Sequence, residues 1–356
     1  MTKGAGSDAR ARDRPVEGVD MAAVSAWMDD RSFGTGPITA VEALGGGTQN
    51  ILVRFERDGA GYVLRRPPVH KRRNSDETMR REARVLGAIA DTTVPHPRLI
   101  AAEASLDVIG AAFYLMEPID GFNASVGLPS PHRDDPAIRR RMGLAIVEGA
   151  ATLGAVDHEA VGLGDFGRPD GWLERQVDRW RSHLDGYADF VEYPGPDIPG
   201  LDRVADWLER NRPTDWSPGI THGDYHLANV MFSLDDGELA AIVDWELCTI
   251  GDPLLDLGWL LATWPEPGFP GGTVMIDPWE GFPTRAELVA HYGERSARSV
   301  DAADWYGVMA CYKLGIILEG THARAFAGQA PRDIGDLLHA TAVGLFERAL
   351  VTIAGP

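Results

Sequence analysis

Cysteine is nearly absent: among 356 residues only Cys248 and Cys311 carry a thiol. Two thiols supply neither a disulfide framework nor a cysteine zinc cluster, so a reducing, cytoplasmic setting is expected. Long apolar runs are missing too. Hydrophobic residues make up 44% of the chain, ordinary for a globular protein, yet no uninterrupted stretch approaches the roughly 18 residues of a membrane span. Positive charge is scarce, with 34 Lys and Arg against 53 Asp and Glu and a formal charge of −19. That balance argues against nucleic acid or an anionic membrane as the main partner, because both select a basic footprint. Residues 1–14 are rich in Gly, Asp and Arg and lack an apolar signal core, so 1–20 reads as a disordered tail. No G-x-x-x-x-G-K-[ST] occurs, which excludes a P-loop NTPase, and no internal repeat is visible.

What the chain does contain is Thr221-His222-Gly223-Asp224-Tyr225-His226-Leu227-Ala228-Asn229, followed fifteen residues later by Asp244 in Ile242-Val243-Asp244-Trp245-Glu246. An Asp, an Asn five residues on and a second Asp beyond a short hairpin match the order and spacing of a kinase phosphoryl-transfer site. In that pattern Asp224 receives the acceptor hydroxyl, while Asn229 and Asp244 hold Mg²⁺ against nucleotide phosphates. Asp244 follows the apolar stretch 239–243, where an ionised carboxylate is costly unless a cation or hydrogen bonds compensate. Asn229 adds a neutral oxygen, which suits a hard cation. Glu246 is a further candidate for contact through water.

The organisation along the chain agrees. A short helix at 21–28 precedes strands at 38–44, 50–55 and 61–65, with a Gly45-Gly46-Gly47 turn after the first and an Asp58-Gly59 hairpin after the second. A glycine-rich turn between antiparallel strands is how kinase folds cover phosphates, whereas a Rossmann turn lies between strand and helix. A helix at 75–90 with Ser75 as N-cap follows, then a strand at 111–117 ending at a hinge near 118–121. Beyond the hinge the pattern is helical, with apolar positions at 3- or 4-residue spacing over 136–158 and helices expected at 201–211, 284–298, 302–323 and 333–354. A loop is expected over 265–278, long enough to act as a lid. The expected fold is α+β and bilobal, protein-kinase-like, with a small antiparallel-sheet lobe at 21–117 and a larger, mainly helical lobe at 118–356.

His-Gly-Asp-x-x-x-x-Asn with the Val243-Asp244-Trp245-Glu246 run and Ile250-Gly251-Asp252-Pro253-Leu254-Leu255-Asp256 resembles the aminoglycoside phosphotransferase, or choline-kinase-like, family. Tyr62-Val63-Leu64-Arg65-Arg66-Pro67-Pro68 and Asp165-Phe166-Gly167-Arg168-Pro169 resemble one branch, the kinase-like domains fused to some acyl-CoA dehydrogenases. The resemblance covers about residues 38–265. It implies ATP or GTP as co-substrate with Mg²⁺, and a nucleotide site formed by Gly46, Gly47, Thr48, Asn50, Arg65, Glu82 and Glu117. Arg65 stands where kinases usually carry a strand lysine, and Glu82 where the helix glutamate pairs with it; Gln49 and Ala228 replace a common serine and aspartate. Asp256 is expected to brace the catalytic loop.

Asp165-Phe166-Gly167 spells the protein-kinase metal motif but precedes the catalytic loop, so it reads as a turn. His222 and His226 have the spacing of a zinc-protease pair, yet Gly223 makes a helix there improbable. Trp172, Arg175, Gln176, Arg179 and Trp180 read as one helix face near the acceptor. Two functions remain open on the sequence: a small-molecule kinase acting on a hydroxyl, and a nucleotide-binding pseudokinase, for which Arg65 in place of lysine is the best support.

Overall fold

The computed structural model describes residues 16–45, 50–265 and 274–355. The chain divides into two compact units, the first ending at Asp120 and the second running from Gly121, with the short segment Thr93–Pro95 also belonging to the second.

The first unit opens with helix α1 (Met21–Asp30), whose first turn is capped by the Asp20 carboxylate accepting from the amides of Ala22 and Ala23. Residues 16–20, placed in the tail by sequence, belong to this folded unit: Val16 and Val19 pack on its core. Strands β1 (Thr39–Ala43), β2 (Ile51–Arg57) and β3 (Ala60–Arg66) lead to helix α2 (Ser75–Ala88), and β4 (Leu99–Glu103) and β5 (Phe113–Met116) complete an antiparallel sheet of order β1-β2-β3-β5-β4. Asp58 and Gly59 both take positive φ, 50° and 78°, the conformation a two-residue hairpin requires. Val53, Phe55 and Leu64 turn one sheet face onto Trp27 and Met28 of α1. Ser75 is not the N-cap of α2; Asn74 holds that position, and the Ser75 hydroxyl instead accepts from the Arg72 amide at 2.9 Å.

The second unit is mainly helical. Helix α3 (Pro136–Gly154) starts with Asp135 as cap and proline in its first turn, and buries Met142, Ile146, Gly149 and Leu153 on one stripe. Helices α4 (Gln176–Asp185) and α5 (Leu201–Arg210) are followed by four short strands. They are β6 (Gly219–Thr221), β7 (Val230–Phe232), β8 (Leu239–Ile242) and β9 (Thr249–Gly251), paired as β6 with β9 and β7 with β8. Helix α6 (Leu254–Thr263) is buried along its whole length. Helix α7 (Arg285–Arg295) begins with a Thr284–Glu287 capping box. Helices α8 (Ala303–Phe326) and α9 (Arg332–Ala354) pack side by side, with Phe346 of α9 against Gly315 of α8, where a Cβ would lie 2.6 Å from the ring.

Among the described residues α9 is the one helix long and apolar enough, by length and composition, to cross a membrane. It carries Arg332, Asp333, Asp336, Glu347 and Arg348, and Arg348 is fully buried, donating through one guanidinium nitrogen to the carbonyls of Leu261, Ala262 and Trp264 at the end of α6.

Candidate active site

Strand pairing in the first unit places Arg65 directly opposite Tyr114, so both side chains share one sheet face. Glu82 of α2 meets them there. Arg65 Nε lies 2.9 Å from Glu82 Oε2, and the Tyr114 hydroxyl donates to the same carboxylate at 2.9 Å. Glu82 is 0% exposed and Arg65 7%, so this is a buried ion pair with an added donor. Arg66 faces the other way, donating to the carbonyls of Pro67 and Gly18, as the two-residue period of a strand dictates. Glu117 is exposed, with its amide donated to the Arg98 carbonyl at 2.9 Å. Asn50 stands just before β2, half-buried; Gly46, Gly47 and Thr48 lie outside the described residues.

The catalytic-loop sequence lies in the second unit, between β6 and β7. Gly223 has φ +85°, and a Cβ there would sit 2.5 Å from the Leu247 carbonyl oxygen; the turn needs glycine. Asp256 braces the loop, its two oxygens accepting from the amides of His222 (2.6 Å) and Gly223 (2.9 Å). Tyr225 is fully buried and donates to the Ile146 carbonyl of α3 at 2.6 Å. Asp224 is left half-buried at the surface of this scaffold. Asn229 Nδ2 donates to the Asp224 carboxylate and to its carbonyl, both at 2.9 Å. The Val243 amide donates to the Asn229 carbonyl, and the Val243 carbonyl lies 2.9 Å from His222 Nε2. Val243 thus ties Asp244, its neighbour, to both ends of the loop. Asp244 takes φ 67° and ψ 65°, a conformation uncommon outside glycine, asparagine and aspartate and concentrated at functional sites.

Charge around Asp224 is arranged to keep it ionised. Burial pushes its carboxyl up, but the hydrogen bond with His226 and the fields of His226, His222 and Lys313 outweigh this and bring it down to about 2. His226 Nε2 lies 3.3 Å from the carboxylate. Lys313 of α8 is a residue the sequence reading missed. It is 8% exposed and donates to the Gly223 carbonyl at 3.0 Å, with its ammonium 4.3 Å from the Trp259 ring centre and 5.6 Å from that of Trp180. Burial depresses it to about 8, with Asp224 and Asp256 opposing that shift and Arg179 adding to it.

The expected helix face at 172–180 is only partly helical, since α4 begins at Gln176. Arg175 donates to the carbonyls of Arg168 and Asp170, and Gln176 to that of Trp172, so these side chains support the turn; Arg179 and Trp180 remain near Lys313. Asp165, Phe166 and Gly167 form a turn, with Gly167 packed against the Ile250 backbone.

Comparison with known proteins places this geometry. Residues 40–291 match the model of the phosphotransferase enzyme family. The chain is 28% identical over 326 residues to acyl-CoA dehydrogenase family member 11 of Rattus norvegicus, and 30% identical over 302 residues to that of Gallus gallus. The matches cover 88% and 82% of this chain but only 41% and 37% of those proteins, so the chain spans about two fifths of their length. Among solved structures, a candidate aminoglycoside phosphotransferase from Ralstonia eutropha is 30% identical, with a TM-score of 0.76, over 93% of this chain and 98% of its own. The GDP and kanamycin complex of APH(2″)-IIIa shares the fold at 16% identity and a TM-score of 0.62, covering 93% and 99% of the two chains. With its bilobal kinase-like fold, the chain belongs to the phosphotransferase enzyme family.

Proposed function

We propose that this protein is a small-molecule kinase that moves the γ-phosphate of ATP or GTP onto a hydroxyl group. The observation that carries the reading is the braced, ionised Asp224 held by Asn229, with Asp244 fixed through Val243. Phosphoryl transfer needs positioning and charge cancellation more than covalent help. Asp224, ionised at neutral pH, accepts the hydrogen bond of the acceptor hydroxyl and aims its oxygen at phosphorus, taking the proton as the new bond forms. Asn229 spends its Nδ2 on Asp224, which leaves the amide oxygen as its ligand atom; with the Asp244 carboxylate it forms a hard, all-oxygen donor set that fits Mg²⁺. When bound, Mg²⁺ neutralises phosphate charge. Arg65, fixed by Glu82 and Tyr114, is assigned to the nucleotide phosphates, where a guanidinium keeps the charge of the usual lysine and adds a forked donor. Gly46, Gly47, Thr48 and Asn50 are assigned to the phosphate-covering turn, and Glu117 to the nucleotide side of the hinge.

For the acceptor we favour a hydroxylated acyl metabolite over an aminoglycoside. The acyl-CoA dehydrogenase relatives support this class, and so does the local charge. Lys313 and Arg179, near enough to influence each other's charge, bring positive charge to the loop that carries Asp224, beside the carboxylate of Asp256. That positive charge disfavours a polycationic acceptor.

The test is a thermal-shift titration with Mg²⁺–ATP and Mg²⁺–GTP, followed by phosphate transfer to a panel of hydroxy acids, their thioesters and aminoglycosides. A ligand at a hundredfold excess over its Kd stabilises the native state by about 2.7 kcal/mol. We expect a Mg²⁺-dependent shift and phosphorylation of an anionic acceptor. A folded chain that shows no shift with either nucleotide is not a kinase, and preferential phosphorylation of aminoglycosides would overturn the acceptor assignment.

A further inference from the structure

Away from the catalytic loop, α8, α9 and the segment before α5 bring Glu319, His322, His339 and Tyr193 to one point. Glu319 and His322 are three residues apart and so share a face of α8. His339 comes from α9, which approaches closely because residue 335 is glycine: a Cβ there would lie 2.6 Å from that of Ala325 and 3.3 Å from the His322 Cα. Glu319 is 0% exposed. Its Oε1 lies 3.1 Å from His322 Nδ1 and accepts from the Tyr193 hydroxyl at 2.6 Å, while its Oε2 lies 2.7 Å from His339 Nδ1. On its far side, His322 Nε2 faces Asp336 Oδ1 at 3.3 Å.

Asp336, whose Oδ1 also accepts from Arg332 Nε at 2.9 Å, lies on the outer side of His322. With Nε2–H turned to Asp336, His322 presents its Nδ1 lone pair inward, the carboxylate–histidine–metal arrangement of bound transition metals. His339 Nδ1 and a Glu319 oxygen complete three ligand atoms, all within 4.8 Å of one another. A Glu-x-x-His pair on one helix with a further ligand from a facing helix is also how helical bundles build metal sites. Tyr193 donates to Oε1, which leaves Oε2 as the ligand oxygen, and the rings of Tyr193 and Phe326 pack on His322 with centres 6.2 and 5.1 Å away.

We propose that Glu319, His322 and His339 bind a divalent transition cation of the zinc type, with Asp336 orienting His322. Two imidazoles and one carboxylate suit such an ion better than Mg²⁺ or Ca²⁺, which prefer oxygen throughout. The site is separate from Asn229 and Asp244, and its role is to clamp α8, α9 and the Tyr193 segment together.

The experiment uses the full chain carrying Asp244→Asn, which weakens cation binding at the proposed phosphotransfer centre. The protein is stripped with a chelator and titrated with Zn²⁺ by calorimetry, and with Co²⁺ by visible absorption. We expect one equivalent bound, with the intense d–d bands of a low-coordinate nitrogen–oxygen site. Adding Asp336→Asn should weaken binding about 10- to 100-fold, and adding His339→Asn at least as much. Glu319→Gln risks unfolding because its site is buried, so the partly exposed His339, with circular dichroism to verify folding, carries the test. No stoichiometric binding, or unchanged affinity in a folded His339→Asn chain, overturns the proposal.

Discussion

Two buried carboxylates, one in each unit, are held in opposite ways. In the first unit, Glu82 is sealed from water beside the Arg65 guanidinium and the Tyr114 phenol, side chains on one sheet face. In the second, Asp256 accepts from backbone amides of the very loop it supports. The first arrangement fixes a side chain, Arg65, while leaving its backbone to the sheet. The second fixes a backbone, so that the neighbouring Asp224 stays half-exposed. Arg65 is held by a counter-charge buried beside it; Asp224 sits on a buried support.

This contrast can be broken from either side, and the largest expected effect is at Asp224. Asp224→Asn keeps shape but removes the charge proposed to orient the acceptor. Turnover should fall about 10²- to 10⁴-fold, while Mg²⁺–nucleotide affinity, read by thermal shift, stays nearly constant. Equal turnover in the variant and the parent would remove Asp224 from its assigned role.

On the supporting side, Glu82→Ala leaves Arg65 charged and buried. Breaking a buried pair in this way costs about 3–5 kcal/mol, so chemical denaturation should show a loss in that range. A loss below about 1 kcal/mol, the scale of exposed pairs, would mean that the pair is open to water. Tyr114→Phe is milder. It deletes one donor to a carboxylate, worth about 1.5–3 kcal/mol, and should weaken nucleotide binding only through looser placement of Arg65.

The smallest effect concerns Lys313. Its folded-state value of about 8 lies below the usual 10.5, so between these limits the unfolded chain holds a proton that the folded chain has lost. Linkage then makes this group's contribution to stability rise with pH across that window, because its buried-charge cost, fully present below pH 8, is relieved. Turnover should move the other way, falling several-fold above pH 8 as the ammonium beside Asp224 disappears; a screened charge effect of about 1 kcal/mol is of that size. Lys313→Met should abolish both trends. An alkaline limb that persists unchanged in the variant would assign it to another group.

Much of this was legible in the chain because it rested on local pattern. The Asp58-Gly59 hairpin, the α3 stripe and the Thr284 start of α7 follow from positive-φ residues, 3- or 4-residue spacing and caps. The spacing from Asp224 to Asn229 and Asp244 likewise foretold a loop and hairpin that tie them together. What escaped lacks a local signature. Lys313 reaches Gly223 from 90 positions away, on a helix buried nearly all round, where no amphipathic stripe marks the side facing the loop. Tyr114 became visible only once the β3–β5 register set it opposite Arg65. Strands of three residues, β6 and β9, are too short for a period of two to show.

Arg348 has a bearing on how this polypeptide can be cut. Its guanidinium finishes α6 from the other end of the second unit, taking three carbonyls that α6 cannot satisfy itself. The last helix is therefore a keystone for a segment laid down some 85 residues earlier, and trimming the chain ahead of Arg348 would orphan those carbonyls inside the protein.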